Sequence, residues 1–475
     1  MKARTNYLLN NVGIFTISIF ASKILVFLLV PLYTRVLSTK EYGVFDLVVS
    51  TASMVYPILT VNIADAVVRF CLDRSCRKGD VITIGLRYLF RSVAISCVIA
   101  FIAYLCPIPV TIRGMEWLVL LYCIFYAVNQ FLTQLAKGLE NVKSMGIAGV
   151  IGTLVMLLAN ILFLLVFKWG LAGFFVANIL AQAVPAIYLA FKLKIWTYRG
   201  QNEIHTALER EMLAYCAPLI VTVLGWWVNS AADKYVVALM CGFAANGILS
   251  VSYKIPAILN VLQGVFIQAW QISAIKEYGE TDSAQFYGDT FRTINTLLCL
   301  FCAILIIFSK LLSKFLFSKE FFQAWQYVPF LLISCVMNNA SGFLGPILSA
   351  KRDSKLMAMS AVYGAGVNVI LNFLLVYIFG VQGATIATAI SSFVIYIVRK
   401  RAASTDFSVT GYWRVLLTWG LLVILAVTEI KLSIWYIETF VMLVLVLINM
   451  DVVTVIFRAL WSRIGHFLSK QAKKQ

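Results

Sequence analysis

The feature that most limits what this chain can become is its series of apolar runs. Stretches of roughly 18 to 25 mostly apolar residues are each long enough to cross a bilayer as a helix. They begin near Val12, Gly43, Val81, Met115, Met145, Leu171, Leu213, Gly247, Ile294, Gln323, Met357, Gln382, Tyr412 and Ser433. Hydrocarbon offers no water to the backbone, so continuous runs of this kind span only as helices that bond internally. The expected fold is an all-α polytopic membrane protein with about fourteen transmembrane helices. By length alone, 475 residues would make several soluble domains, but 61% hydrophobic residues remove that option. The first run is too long for a signal-peptide core and has no small-residue cleavage site after it, so it reads as a retained span.

The net charge of +18 does not point to nucleic acid, because the basic residues lie between the spans rather than in a patch with interleaved aromatics. With alternate connections assigned to alternate sides, most of the 39 Lys and Arg share the side of both termini, which is therefore expected to be cytoplasmic. Lys310, Lys314 and Lys319 cluster on the opposite side. They mark either an interfacial amphipathic turn or a shifted boundary. No connection is long enough to form an outer domain, and Lys192 to Glu211 and Ile275 to Phe291 read as linkers.

Soluble catalytic chemistry has little to work with. The ten cysteines are scattered; the one close pair, Cys299 and Cys302, lies inside an apolar run and reads as two small hydrophobic residues. His205 and His466 are the only histidines, and both lie outside the spans, which excludes a histidine metal centre or triad. No GxxxxGK[ST] phosphate loop occurs. No cofactor or metal is implied, and the chain reads as a transporter rather than an enzyme.

The spans repeat. Lys143, Met145, Gly152 and Asn160 recur as Lys355, Met357, Gly364 and Asn372 at a constant spacing of 212; Gly170 and Gly173 recur as Gly380 and Gly383, and Gly43 as Gly247. Each repeat holds six helices. An even number leaves both halves in the same orientation, as in parallel-repeat transporters whose site lies between the halves. The expected organisation is a lobe over residues 1–200, a second lobe over 201–403, and two extra helices with a basic tail over 404–475.

Charges inside spans are costly and usually face a cavity or a partner. Lys23 lies near the middle of the first run, on one helical face with Thr16 and Thr34, and its own span has no carboxylate. In the second half, Thr222, Trp226, Asn229, Ser230 and Asp233 share a face, with Lys234 beside them. Asp233 and Lys254 stand at similar depths on either side of one loop, which fits an ion pair that leaves Lys234 for an anion; alternatively Asp233, Lys234 and Lys254 neutralise one another and merely hold a hairpin. Asp46 and Asp65 are candidates for pairing with Lys23 or for ion coupling. Arg69, one turn beyond Asp65, is placed at the cytoplasmic mouth, as a charge anchor or a phosphate-capturing group. Asn129, Gln130, Thr133 and Gln134, then Asn338 and Asn339, then Asn368 and Asn372, are polar groups inside spans that either tie helices together or line a glycan cavity.

At these residues the chain resembles the oligosaccharide flippases of the Wzx type, in the superfamily that also holds multidrug exporters of the MATE type and the MurJ lipid flippases. The resemblance rests on PLYTRVLSTKEYGVFDL, on DKYVVA with ANGILSVSYKIP, on QAWQISAIKEY from Gln268, and on VNVILNFLLVYIFGVQGATIAT from Val367. It implies a two-lobed bundle in a bacterial cytoplasmic membrane that moves an undecaprenyl-pyrophosphate-linked oligosaccharide to the outer leaflet by alternating access. Polysaccharide polymerase and chain-length machinery would be its partners in surface polysaccharide assembly. The family's cationic lumen maps onto Lys23, Lys234 and Lys254, with Arg69 at the entrance. Asn129, Gln130, Gln134, Asn229, Asn338 and Asn339 stand as glycan contacts, and Tyr412 to Ile456 would help form a groove for the prenyl tail.

Two other readings stay open. A drug exporter of the same fold would use unpaired carboxylates, for which Asp46, Asp65 and Asp233 are candidates, although intramembrane lysines argue against it. A membrane glycosyltransferase or polysaccharide polymerase would need acidic catalytic groups and a large loop, and neither a DxD motif nor such a loop is present.

Overall fold

The structure, a computed structural model, describes residues 27–73, 76–105, 114–198, 206–280, 282–351, 354–455 and 458, with no strand among them. In chain order the helices are α1 (Val30–Val36), α2 (Thr39–Leu59), α3 (Ile63–Leu72), α4 (Lys78–Leu105), α5 (Glu116–Gly138), α6 (Val142–Asn160) and α7 (Gly170–Leu193). There follow α8 (Thr206–Cys241), α9 (Phe243–Ser252), α10 (Pro256–Lys276), α11 (Ser283–Ile307) and α12 (Ser309–Leu316). The last are α13 (Val328–Ala350), α14 (Ser354–Phe379), α15 (Val381–Ala402), α16 (Tyr412–Lys431) and α17 (Trp435–Ile448). Among the described residues, eleven helical stretches are long and apolar enough to cross a membrane, and α9 and α17 are shorter apolar helices. Every expected span from Gly43 onward has its helix or helix pair, while the span from Val12 lies outside the described residues as far as residue 26.

Local sequence sets the ends and the breaks. Ser38 and Glu41 form a capping box at the start of α2: the Ser38 hydroxyl accepts from the Glu41 N–H at 3.2 Å, and the Glu41 carboxylate accepts from the Ser38 N–H at 2.8 Å. Pro57 weakens the last turn of α2, and Val61 and Asn62 then turn left-handed, so α3 starts as a separate helix. The run near Gly247, expected as one span, is likewise two helices, because the backbone turns at Tyr253–Ile255 before Pro256. Past Asn160, α6 widens into a π-helical segment, Ile161–Val166. The Lys310 cluster resolves into a separate amphipathic helix: Ser309, Ser313 and Leu316 of α12 are buried, while Lys310 and Lys314 are exposed.

Two compact units emerge, Met1–Ser250 with Leu316–Phe321, and Val251–Phe315 with Phe322–Gln475. The repeat places its divide near residue 200, whereas the first unit also takes α8, packed on α2, α3 and α4, and α9. Within the first unit, α7 packs against α5 and α6, and Phe45 stands edge-on to Phe174 at 4.5 Å and to Phe175 at 5.0 Å. Within the second, α13 is the most buried span, with α10, α11, α15 and α16 packed on it. The repeat is visible in the backbone: Gly170 and Gly380, equivalent by sequence, take φ of 55° and 59° at the start of α7 and just before α15. A left-handed residue at a tight interhelix turn favours glycine at both positions.

Candidate functional site

The densest polar constellation of the first unit lies where α9 crosses α2. The crossing is made by Gly43 and Gly247: a Cβ on Gly43 would land on the Phe243 carbonyl oxygen, and one on Gly247 on the Thr39 carbonyl oxygen. Small residues let two helix backbones meet in this way. Asn246 Nδ2 donates to the Gly43 carbonyl at 2.9 Å, closing the crossing with a hydrogen bond. The spacing that relates Gly43 to Gly247 also relates Thr39 to Phe243 and Asp46 to Ser250. Residues equivalent in the repeat thus meet one another here, and Ser250 Oγ donates to Asp46 Oδ2 at 2.7 Å.

One turn beyond Gly43, Asp46 receives Lys234 from α8, with Nζ to Oδ2 at 2.9 Å. Their side chains retain 14% and 18% exposure, so the pair is largely shielded from solvent. Two more polar ties continue the α2–α8 seam. Trp227 Nε1 donates to the Ser50 carbonyl at 2.9 Å, and Tyr235 shares a hydrogen bond with Thr51 Oγ1 at 2.7 Å. The expected assignment of these charges is therefore corrected. Lys234 is held by Asp46, and the buried Asp233 accepts from the Lys234 backbone N–H at 2.9 Å. Lys254 sits half-buried in the turn between α9 and α10, in the second unit, with no ion pair among the described residues. The reason is the glycine crossing, which brings α2 within reach of Lys234. Lys23 and Thr16 lie outside the described residues.

Asp65 occupies the first turn of α3, where the helix N-terminus favours a carboxylate. Its two oxygens accept from Gln134 Nε2 at 3.1 Å and Asn62 Nδ2 at 2.9 Å. Arg69, at the far end of α3, is exposed and lies over the Tyr215 ring at 5.2 Å.

A cavity of about 240 Å³ opens between α5, α6 and α7, lined by Asn129, Thr133, Gly149, Gly152, Thr153 and Gln182 among others. Asn129 Nδ2 donates to Gln182 Oε1 at 2.7 Å, while its Oδ1 is buried without a partner among the described residues. Gln130, half-buried on the same helix, does not line this space. On α8, Asn229 has a buried Oδ1 without a partner among the described residues, whereas Thr222, Trp226 and Ser230 are exposed.

Asn339 departs from its expected role as a glycan contact. It donates to the Cys335 carbonyl at 2.8 Å, and the space it lines, about 10 Å³, has the size of one water rather than a sugar. Asn338 beside it is half-buried. Asn368 donates to Ser391 Oγ at 3.1 Å and Asn372 Nδ2 donates to Asn368 Oδ1 at 3.0 Å, while Asn372 Oδ1 is buried with no partner among the described residues.

Gln182, Ser250, Asn246, Trp227 and Tyr235 join these sites without having been singled out from sequence. Ser250 and Asn246 carried a signal in their constant spacing from Asp46 and Tyr42, positions of the first repeat.

Comparison with known proteins agrees with this architecture. The profile of a family described as polysaccharide biosynthesis protein matches residues 8–271. A curated relative from Haloferax volcanii, "Probable low-salt glycan biosynthesis flippase Agl15", is 23% identical over 236 residues. That alignment covers 47% of this chain and 50% of the relative, so it spans about half the relative's length. Among solved structures, lipid II flippase MurJ in an inward closed conformation superposes with a TM-score of 0.67 at 12% identity, covering 94% of this chain and 99% of that one. An inward-facing multidrug resistance MATE family transporter of the MOP superfamily gives 0.63 at 13% identity, covering 83% and 95%. A Pyrococcus furiosus transporter of that superfamily, described by a binding pocket of reverse polarity, gives 0.52 at 14% identity, covering 83% and 93%. At such identities the likeness concerns the fold, and it is the MOP-superfamily fold. With more than half of its length matched by the profile, this multi-pass membrane chain belongs to the polysaccharide biosynthesis protein family.

Proposed function

We propose that the protein moves a prenyl-pyrophosphate-linked oligosaccharide between membrane leaflets by alternating access, with the diphosphate held by intramembrane lysines. The observation that carries this reading is the shielded Lys234–Asp46 pair, in which a cation inside a span is held by a carboxylate that a diphosphate oxyanion can replace. Lys23 and Lys254 are further lysines within apolar runs by sequence. Charge-assisted bonds of lysine to phosphate are strong in a shielded site. The cavity with Asn129 and Gln182 offers amides of the kind that bind sugar hydroxyls. The membrane is the bacterial cytoplasmic one, with both termini inside, and the lipid carrier is undecaprenyl pyrophosphate.

The carboxylates weigh against an organic-cation exporter. Asp46 is paired with Lys234 and also accepts from Ser250, and both oxygens of Asp65 accept from the amides of Gln134 and Asn62, so the oxygens of both carboxylates are engaged within the protein. The test is binding of the purified full chain to an undecaprenyl-pyrophosphate-linked sugar and to a panel of organic cations, for wild type and for Lys234→Gln with Lys254→Gln. Binding of the lipid pyrophosphate that the double change abolishes supports the reading. Binding of cations alone, or indifference to the lysines, overturns it.

A further inference from the structure

Lys310, Lys314 and Lys319, which the order of spans places opposite the termini, run against the bias that keeps cations on the cytoplasmic side. Two of them belong to α12, a helix with three distinct sides. At about 100° per residue, Ser309, Ser313 and Leu316 fall on one side, Lys310 and Lys314 on a second, and Leu311 and Phe315 on a third. The first side is turned into the protein: its three residues are buried, and Ser309 Oγ donates to Glu429 Oε1 of α16 at 3.4 Å. The other two sides are open. Lys310 and Lys314 are exposed and form no ion pair among the described residues. Phe315 is 72% exposed, and Leu311 and the preceding Phe308 are exposed as well.

A helix docked at a water-facing surface would bury Leu311 and Phe315 and expose its serines. The opposite arrangement of α12 fits a surface covered by lipid. The Ser309–Glu429 bond also sets its depth. Glu429 lies two residues from the end of α16, and the short turn beyond leads to Trp435 and Tyr436, both exposed at the start of α17. Exposed Trp and Tyr at the ends of spans mark the level of lipid headgroups. Lys431, the last residue of α16, is exposed at that level.

We propose that α12 is a docking site for an anionic phospholipid in the leaflet away from the termini. Leu311 and Phe315 enter the acyl region, and Lys310 and Lys314 take the phosphate of one headgroup between them. Residues four apart on a helix have Cβ atoms about 5–6 Å apart, a gap that a single phosphodiester can bridge. The Trp325 ring, 5.1 Å from Lys310 Nζ at its centroid, steadies that ammonium without neutralising it. A zwitterionic headgroup brings its own cation to the two lysines, so the site discriminates by net charge. The inference needs only the membrane setting and holds for any transported substrate.

The test is photocrosslinking of the purified full chain in lipid nanodiscs, with phosphatidylglycerol or phosphatidylcholine carrying a diazirine in the headgroup, and with the labelled peptides mapped by mass spectrometry. The phosphatidylglycerol probe is expected to label residues 309–316, and the phosphatidylcholine probe to leave them unlabelled. Lys310→Gln with Lys314→Gln should weaken this labelling about 25-fold, roughly fivefold for each lysine removed near a charged membrane surface. Lys310→Arg with Lys314→Arg should restore it, and both variants should elute as wild type on size exclusion. Unlabelled phosphatidylglycerol should compete, and inorganic phosphate at the same concentration should not. Absence of label from α12, equal labelling by the two headgroups, or labelling indifferent to the lysines overturns the proposal. Displacement by inorganic phosphate does so too, since the lysines would then form a site for free phosphate.

Discussion

Replacing Asp46 by Asn tests the central constellation most directly. The change keeps an oxygen for the Ser250 hydroxyl but leaves the Lys234 ammonium without its counter-charge. Exposed ion pairs contribute roughly 0–1 kcal/mol, and breaking a fully buried one costs about 3–5 kcal/mol. Side chains that retain 18% and 14% exposure stand between these limits, nearer the buried one. The expected coupling energy is about 1–3 kcal/mol, and the loss in Asp46→Asn alone is at least as large. The assay is a double-mutant cycle of wild type, Asp46→Asn, Lys234→Gln and the double variant, read by denaturant unfolding in detergent micelles. The double variant should recover most of the loss, because no uncompensated charge remains. Binding of a prenyl pyrophosphate supplies a second readout of the same cycle. If the diphosphate competes with Asp46 for Lys234, Asp46→Asn tightens binding by about 5–150-fold, the affinity equivalent of 1–3 kcal/mol. Additivity of the two changes within about 0.5 kcal/mol would refute the pair as a structural element. Unchanged or weaker binding in Asp46→Asn would refute the exchange of carboxylate for phosphate.

Other consequences are as definite. Gly43→Ala or Gly247→Ala puts a methyl group onto a backbone carbonyl across the crossing, so each is expected to cost about 1–3 kcal/mol by overpacking, measured by thermal unfolding against a Gly225→Ala control with open space around it. Gln134→Leu removes one of the two amide donors of Asp65 and should cost about 1–3 kcal/mol in the same assay, with Asp65→Asn giving partial rescue in the double variant. At the other end of the chain, burial acts against ionisation of Asp451, but the Val452 N–H and the guanidinium groups of Arg292 and Arg414 outweigh it and hold the carboxyl below the usual aspartate range. A carboxyl lowered on folding contributes stability that is present at neutral pH and lost as the pH falls through its folded-state value. The difference in melting temperature between wild type and Asp451→Asn should therefore shrink in acid, and a difference that does not vary with pH would contradict the assignment.

How far the sequence reaches differs between the spans and the site. Run length and hydropathy located the helices because a bilayer imposes a single requirement, internal hydrogen bonding over a fixed thickness, on every span. The repeat predicted matching roles for Gly170 and Gly380, and both take a positive φ. Breaks were less legible. Val61 and Asn62 turn left-handed without a glycine, and the turn at Tyr253–Ile255 is marked only by the following Pro256. A hydropathy window averages over such short interruptions.

Sequence also determined that charges inside the spans need partners, since the cost of an isolated ion in an apolar surrounding does not depend on the fold. Which partner each one takes was decided by tertiary structure. Helical periodicity places Asp233 and Lys234 on adjoining faces of α8 but says nothing of which helix stands opposite. That choice was made by the crossing at Gly43 and Gly247, where the missing side chains let α9 meet α2, with Asp46 one turn away at Lys234. Burial and periodicity are properties of one helix, whereas a charge pair is a property of two.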